Sequence, residues 1–510
     1  MTMAPDIRQK HRDPVILFIF FVMLGVQIYS FSSGISGNDF WWHVKVGEYV
    51  VKTRSVPTTD IFSWIGMEKG IAWTAHEWLS DVLFYYIYSA AGGVGIYLLS
   101  VSLAVFLSVL LWRQAREALE ENILVCGLFF SLFAVLTSLF FYGRPHVFSF
   151  FLLFFELKIL YSFYENASDR RIWWIPVLAA LWSNLHGGSA NLSYLLCFAF
   201  LIVALCSVSV GRVSCKRLPK SALLRLFAVS LLSLGAILIN PIGGRVLIYP
   251  YASFADSISM QVISEWHPPD AKAIGNLVLY FLPIGVIAFG MVSTERKIRA
   301  IDVVVMALFL LLFFRSARFI ILWYIAAVFC GFLYIPKCKV KAITRPYEKV
   351  LLGLAGCLIP ICLFGFGIYQ SVTAYQQGDI VSTAARKEAI EYVKHASPKR
   401  LFNDYNVGES LIFNDLPVFF DARADLFAQE HIMEDGISLL LLEQARKDSS
   451  IRYVNVQEII QRYRFDAVFI LKTRPLYAYL ISHPEQFRLD YEDESMGYFT
   501  ITADLYDKGG

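Results

Sequence analysis

The sequence predicts a polytopic α-helical membrane protein of about eleven transmembrane helices, followed by a soluble C-terminal α/β domain. Three observations predict it. The 510-residue chain is 57% hydrophobic and only 17% charged, where soluble proteins carry about 25% charge. Apolar runs of about twenty residues recur along it, each long enough for a hydrocarbon core about 30 Å thick. From about Gln376 onward the composition turns abruptly toward charged residues.

In chain order, the spans are expected near residues 14–33, 93–112, 122–142, 147–164, 172–186, 190–210, 222–240, 276–294, 300–315, 318–336 and 350–372. The first is too long, and too poor in a cleavage pattern, to read as a removed signal peptide. Glu77–Ala91 reads as an interfacial helix leading into the second span, with Gly92-Gly93 interrupting it. The fifth and ninth spans are short, and Pro176 and Pro283 predict kinks. Trp41 and Trp42, just past the first span, fit interfacial anchors, because indole rings settle at headgroup depth.

Lys and Arg collect in the N-terminal stretch and in the loops after spans two, four, six, eight and ten, from Arg8-Lys10-Arg12 to Lys337–Lys349. With an odd number of spans all of these fall on one side, which the positive-inside rule makes cytoplasmic. Residues 34–76 and 241–275 then form long outer loops, and everything after about Ser371 is outside. The chain divides into a transmembrane domain, 1–375, and an extracytoplasmic α/β domain, 376–510. That second segment, about 135 residues, suffices for one small domain with its own core. Ala384–His395, Val456–Tyr463 and Pro475–Ser482 read as helices, and Val418–Asp421 and Ala467–Leu471 as buried strands.

The eight cysteines lie in spans or inner loops, where they serve as small apolar residues. Neither a disulfide framework nor a zinc-binding CxxC pair is indicated. The net charge of +3 is small and spread over short loops, so nucleic acid is not an expected partner.

Polar groups near membrane level gather at the outer ends of the expected spans. Asp39 and His43 open the first outer loop, and His76 and Glu77 close it. Arg144-Pro145-His146 turns between spans three and four, and His186 ends the fifth. Arg245, Glu265-Trp266-His267, Arg315 and Arg318 complete the set. A carboxylate within reach of a hydroxyl deprotonates or orients it, and Arg or His stabilises the charge growing on a departing phosphate. One acid with several outer-facing basic groups suits a polyprenyl-phosphate-sugar site. Each residue also has a plainer reading. Asp39 can cap the helix that starts at Phe40, the arginines can snorkel to headgroups, and His186 can be a packing residue. In the C-terminal domain, Asp421 and Arg423 end an expected strand, where site residues of α/β sheets often lie. The plainer alternative is an internal Asp421–Arg423–Asp425 network, and a further one is a divalent metal between Asp404, Asp421 and Asp425.

The order of these motifs resembles a family of bacterial multi-pass membrane proteins grouped with the GT-C glycosyltransferases. The likeness runs from Asp39-Phe40-Trp41-Trp42-His43 with Gly47-Glu48, through Val56-Pro57, Thr59-Asp60-Ile61-Phe62-Ser63 and His76-Glu77-Trp78-Leu79. It continues with Arg144-Pro145-His146, Trp182-Ser183-Asn184-Leu185-His186-Gly187, Asn240-Pro241, Glu265-Trp266 and Arg318-Phe319. It closes with Asn403-Asp404-Tyr405 and Phe420-Asp421-Ala422-Arg423-Ala424-Asp425. The resemblance implies transfer of a sugar from a polyprenyl-phosphate-linked donor to a glycan, lipid or protein acceptor at the outer face of the inner membrane, usually with inversion at the sugar carbon. Asp39 takes the place of the base. Many relatives carry a doublet of acids where this chain has Asn38-Asp39, which makes Glu77 the candidate second carboxylate. His43, Arg144, His146, His186, Arg245, Arg315, Arg318, Asp421 and Arg423 are the candidate substrate-binding groups. The alternatives are a transporter or flippase for a lipid-linked or anionic substrate, suggested by Glu156 and Lys158 within the fourth span, and a non-catalytic envelope scaffold.

Overall fold

The computed structural model describes residues 13–31, 39–255, 266–335, 385–442 and 455–502, with isolated positions at 362, 365, 366, 369, 370, 372 and 373. Asn38, Glu265 and nearly all of the expected span at 350–372 lie outside the described residues.

The first part of the chain forms α1 (Asp13–Ser30), α2 (Phe40–Thr53), α3 (Trp64–Lys69), α4 (Trp78–Gln114), α5 (Arg116–Glu121), α6 (Ile123–Phe140), α7 (His146–Glu165), α8 (Ile175–Leu185), α9 (Gly187–Ala190) and α10 (Leu192–Leu205). Two short strands follow, β1 (Ser209–Val210) and β2 (Val213–Ser214), then α11 (Lys220–Ala236) and α12 (Arg245–Ala255). Helices at Leu282–Ser293, Ala300–Arg315 and Ile320–Cys330 come next, with β3 (Ile298–Arg299) before the second of them. Among the described residues, four helices are long and apolar enough to cross a membrane: Trp78–Gln114, His146–Glu165, Gly187–Leu205 and Ile274–Ser293. These make the chain a membrane-associated, mostly helical protein. Shorter apolar helices occupy Phe18–Ser30, Val125–Phe140 and Ala317–Cys330, where other spans were expected.

Two local expectations resolve informatively. At Gly92 the backbone of α4 leaves helical geometry (φ 58°, ψ −152°), a left-handed conformation that suits glycine, so α4 is two helices meeting at the expected break. Pro176, expected to kink a helix, instead sits in the first turn of its own, where a missing N–H costs nothing, whereas Pro283 lies inside the helical run Ile274–Ser293, just after a π-helical stretch at Leu277–Phe281.

The chain separates into two compact units. Unit 1 comprises Met1–Ile35, Gly93–Asn240 and Glu265–Ile380, and unit 2 comprises Ser36–Gly92, Pro241–Ser264 and Val381–Gly510. In unit 1, α1 packs on α6, α7 and α11 flank α8, and α10 packs on α11. Every residue of Ile320–Cys330 is buried. A buried Gln27 joins three helices, its amide donating to Ser108 (3.0 Å) and Thr137 (2.9 Å).

Unit 2 is built on a four-stranded sheet of order β4 (Leu401–Asn403), β5 (Ala467–Leu471), β7 (Met496–Ile501), β6 (Phe487–Glu492). β4 and β5 are parallel and the other pairs antiparallel. The helices at Val456–Tyr463 and Pro475–Ser482 and the strand at Ala467–Leu471 have their expected bounds, and the expected helix at Ala384–His395 is found as Lys387–Ala396. Val418–Asp421 is corrected: it forms no strand, only a single bridge from Val418 to Ser63, with a bend at Phe419. The Asn403 side chain occupies a ladder's place, accepting from Phe419 N (2.7 Å) and donating to Phe420 O (2.9 Å).

The segment 40–75 belongs to the same core. Trp42, Val46, Val50, Trp64, Ile71 and Trp73 pack in one cluster with Ile390, Leu401, Phe402, Phe419 and Phe420. Trp64 Nε1 donates to Leu401 O (3.0 Å), and Lys45 pairs with Asp415 (2.5 Å). Trp41 and Trp42 are therefore core residues rather than exposed interfacial anchors. They are 6% and 9% exposed, with Trp41 against Phe413 (4.5 Å between centroids) and Trp42 against Trp73 (6.0 Å).

Candidate functional site

Asp39 immediately precedes α2. Its backbone is already helical (φ −58°, ψ −29°) and its side chain makes no capping hydrogen bond, so capping does not account for an acid at this position. It is half-buried. One turn on, His43 lies on the same helical face and is 2% exposed. Its Nδ1 is 2.6 Å from Asp81 Oδ1, and its Nε2 is 3.9 Å from Glu77 Oε2. Glu77 and Asp81 are themselves one turn apart at the start of α4, joined by the Asp81 N to Glu77 O bond (3.1 Å). Gly47 makes this contact reachable. A Cβ there would overlap the Asp81 carbonyl and the Tyr85 Cβ, so glycine lets α2 approach α4 at that turn.

The roles of the ring follow from the charge on its neighbours. With Asp81 ionised, Nδ1–H is the donor, and Nε2 is directed toward Glu77 as an acceptor or, once protonated, as an ion-pair partner. Asp81 Oδ2 has no protein partner. Sequence reasoning left Asp81 out. Its signal was spacing, four residues after Glu77 as His43 is four after Asp39.

A second missed acid is Glu409, on the short helix Gly408–Phe413 that packs on α2. It is 1% exposed, its Oε1 accepts from Ala422 N (2.7 Å), and Oε2 has no protein partner. Burial pushes its carboxyl well above the usual range, and the charges of Asp421 and Asp39 push it further. The last of these is the electrostatic mark of Asp39 on its surroundings. Nearby in sequence to the predicted set, Tyr249 on α12 packs at a tilt against His76 (4.0 Å between centroids) and hydrogen-bonds Asp425, whose carboxyl burial also pushes upward. Arg245 opens α12 and is exposed.

Asp421 and Arg423, predicted as substrate-binding groups, lie in a closed ion-pair network. Both are buried and satisfied within unit 2. Arg423 donates from Nε and Nη2 to the two Asp421 oxygens (2.8 and 2.7 Å) and from Nη1 to Asp60 (2.8 Å). Its guanidinium lies 4.7 Å from the Trp73 ring centroid. The network anticipated as Asp421–Arg423–Asp425 thus has Asp60 as its third member. Asp60 also accepts from Phe62 N (3.0 Å) and from the Ser63 hydroxyl. A metal between Asp404, Asp421 and Asp425 does not fit either, because Asp404 is engaged by Arg474 (2.7 and 2.9 Å). Among the described residues no group of three His, Cys, Asp or Glu has metal-holding geometry.

The remaining predicted residues belong to unit 1. The Arg144 guanidinium lies 5.0 Å from the Tyr142 ring centroid, just before α7. His146 opens α7, its Nε2 donating to Phe140 O (2.7 Å), and its ring is 6.3 Å from that of His186. His186 is held in a buried polar knot. Its Nδ1 meets the hydroxyls of Ser149 and Ser189 (both 2.7 Å), and Trp182 Nε1 donates to the same two oxygens (2.8 and 3.0 Å). Ser149 and Ser189 carried no sequence signal beyond their spacing from His186. Arg318 is half-buried, 5.1 Å from the Trp266 ring, and Arg315 ends its helix exposed. Thus His146 and His186 come together in unit 1, with Arg144 two residues before His146, and His43 and Glu77 come together in unit 2, with Asp39 one turn before His43. No family model matches this chain, and no curated protein matches it either.

Proposed function

We propose that the chain is a GT-C-type membrane glycosyltransferase of about eleven transmembrane helices, acting at the outer face of a bacterial inner membrane on a polyprenyl-phosphate-linked sugar. The observation that carries this reading is the pairing of an uncapped Asp39 with a buried His43 one turn away, the latter held by Asp81 and directed toward Glu77. Asp39 acts as the base that orients and deprotonates the acceptor group while the sugar carbon is inverted. Asp81 and His43 are positioning residues: they fix the first turn of α2 and the charge state around Glu77. The departing lipid phosphate calls for a guanidinium donor, and Arg245 is the arginine of the predicted set that unit 2 carries with Asp39.

The test is turnover of a lipid-linked sugar in membranes carrying wild type or Asp39→Asn at matched expression. The expected result is a loss of about 10²–10⁴-fold for the variant, the usual contribution of a general base, with an unchanged melting temperature. Equal turnover by both proteins overturns the role given to Asp39.

A further inference from the structure

Glu156 lies in the middle of α7, one of the helices long and apolar enough to cross a membrane, and it is fully buried. No Lys, Arg or His pairs with it among the described residues. Its neighbours are Cys197, whose Sγ is 3.9 Å from Oε1, and the Ser193 hydroxyl. Lys158, two residues along, is exposed on another face of α7, with its ammonium 5.8 Å from the Phe154 ring. An acid with no countercharge is not the rule in unit 1. Asp302, also fully buried, is held by Arg299 (2.8 Å) and by the hydroxyls of Tyr161 (2.9 Å) and Tyr334.

Two hydroxyls share the situation of Glu156. Ser193 on α10 sits beside the carboxyl, and Ser233 on α11 sits beside Cys197. Both are fully buried, and neither Oγ makes a regular hydrogen bond. A helical serine ordinarily donates to the carbonyl one turn back, as Ser230 does to Leu226 O (2.8 Å) on the same helix. Ser193 and Ser233 forgo that bond. Glu156 Oε2 likewise has no protein partner. Three buried oxygens without a regular hydrogen bond thus come from three helices, Ser193 beside the carboxyl and Ser233 joined to it through Cys197.

We propose that Glu156, Ser193 and Ser233 form a binding site for a small monovalent cation, with sodium the ion that suits it. The three oxygens favour a hard cation, with the Cys197 thiol turned to the carboxyl as a donor. One carboxylate neutralises one positive charge, whereas a divalent ion would leave net charge in an apolar interior, at a heavy desolvation cost. A proton satisfies one of the three oxygens, but a cation can draw lone pairs from all of them. Bound there, the ion ties α7, α10 and α11 together.

The experiment is thermal unfolding of the full-length protein in lipid nanodiscs, in sodium chloride against choline chloride at equal ionic strength and fixed pH. Sodium should raise the wild-type melting temperature saturably. Ser233→Ala should need about tenfold more sodium for half the effect, and Glu156→Gln should show none. Three results overturn the proposal: no sodium-specific rise in wild type, the same rise in Glu156→Gln, or a wild-type melting temperature that follows pH but not sodium. Should Glu156→Gln fail to fold, Ser193→Ala and Ser233→Ala decide the question, since both remove only a hydroxyl.

Discussion

Arg423 in unit 2 and Glu156 in unit 1 are both fully enclosed ionisable side chains, and the two units treat them in opposite ways. Arg423 meets two carboxylates in fork geometry, with aromatic rings around its guanidinium. Glu156 meets the Cys197 thiol and the Ser193 hydroxyl, and no countercharge among the described residues. A buried charge is costly unless paired, so complete pairing marks a group that holds the fold together. Incomplete pairing marks a place where something else must complete the set. On this comparison Arg423 is architecture and Glu156 is a site.

The largest effect expected from breaking that contrast is at Arg423. Arg423→Met leaves Asp60 and Asp421 buried without their cation, which should cost about 3–5 kcal/mol. Melting of the full chain, with limited proteolysis of segment 40–75 as a second readout, measures it. Arg423→Lys should recover only part of the loss, since an ammonium does not reproduce the bidentate fork. If Arg423→Met melts like wild type, the network is not what joins the first loop to the C-terminal fold.

A smaller effect, with a defined pH dependence, is expected at Glu409. Its folded-state carboxyl titrates above the ordinary value of 4.5, so the folded protein binds a proton more tightly than the unfolded chain does. That contribution to stability is complete below about pH 4.5 and is lost as pH rises through the folded value. Glu409→Gln keeps an oxygen to accept from Ala422 N and cannot ionise. Its melting temperature should gain on wild type steadily from pH 4.5 upward, and parallel profiles would refute this.

The smallest effect belongs to the polar knot of unit 1. In Ser149→Ala the Trp182 Nε1 and His186 Nδ1 both keep Ser189 (3.0 and 2.7 Å). The expected loss is therefore about 0.5–1 kcal/mol, within the usual range for one hydrogen bond. A loss as large as that of Arg423→Met would show that this knot, too, is indispensable architecture.

Legibility followed the range of the forces involved. The helices at 456–463 and 475–482, the strand at 467–471 and the break at Gly92 were all readable, because each is dictated by a local pattern. The run at 418–421 reads as a strand, but the same apolar residues suit an irregular segment tied down by the Asn403 side chain. Asp39, His43 and Glu77 were readable as chemistry. Asp81 was not, because only the close approach at Gly47 makes it the partner of His43.

The sequence by itself determined that this chain is largely apolar helix with a charged C-terminal segment, because hydrophobic run length and composition are local properties. Tertiary structure alone decided that the segment around Trp42 and Trp64 shares a core with that C-terminal segment. It alone decided that Arg423 is paired with Asp60, 363 residues away along the chain, and that Glu156 has no ion-pair partner among the described residues. Those outcomes depend on which distant side chains close around a buried charge, and no local pattern encodes that.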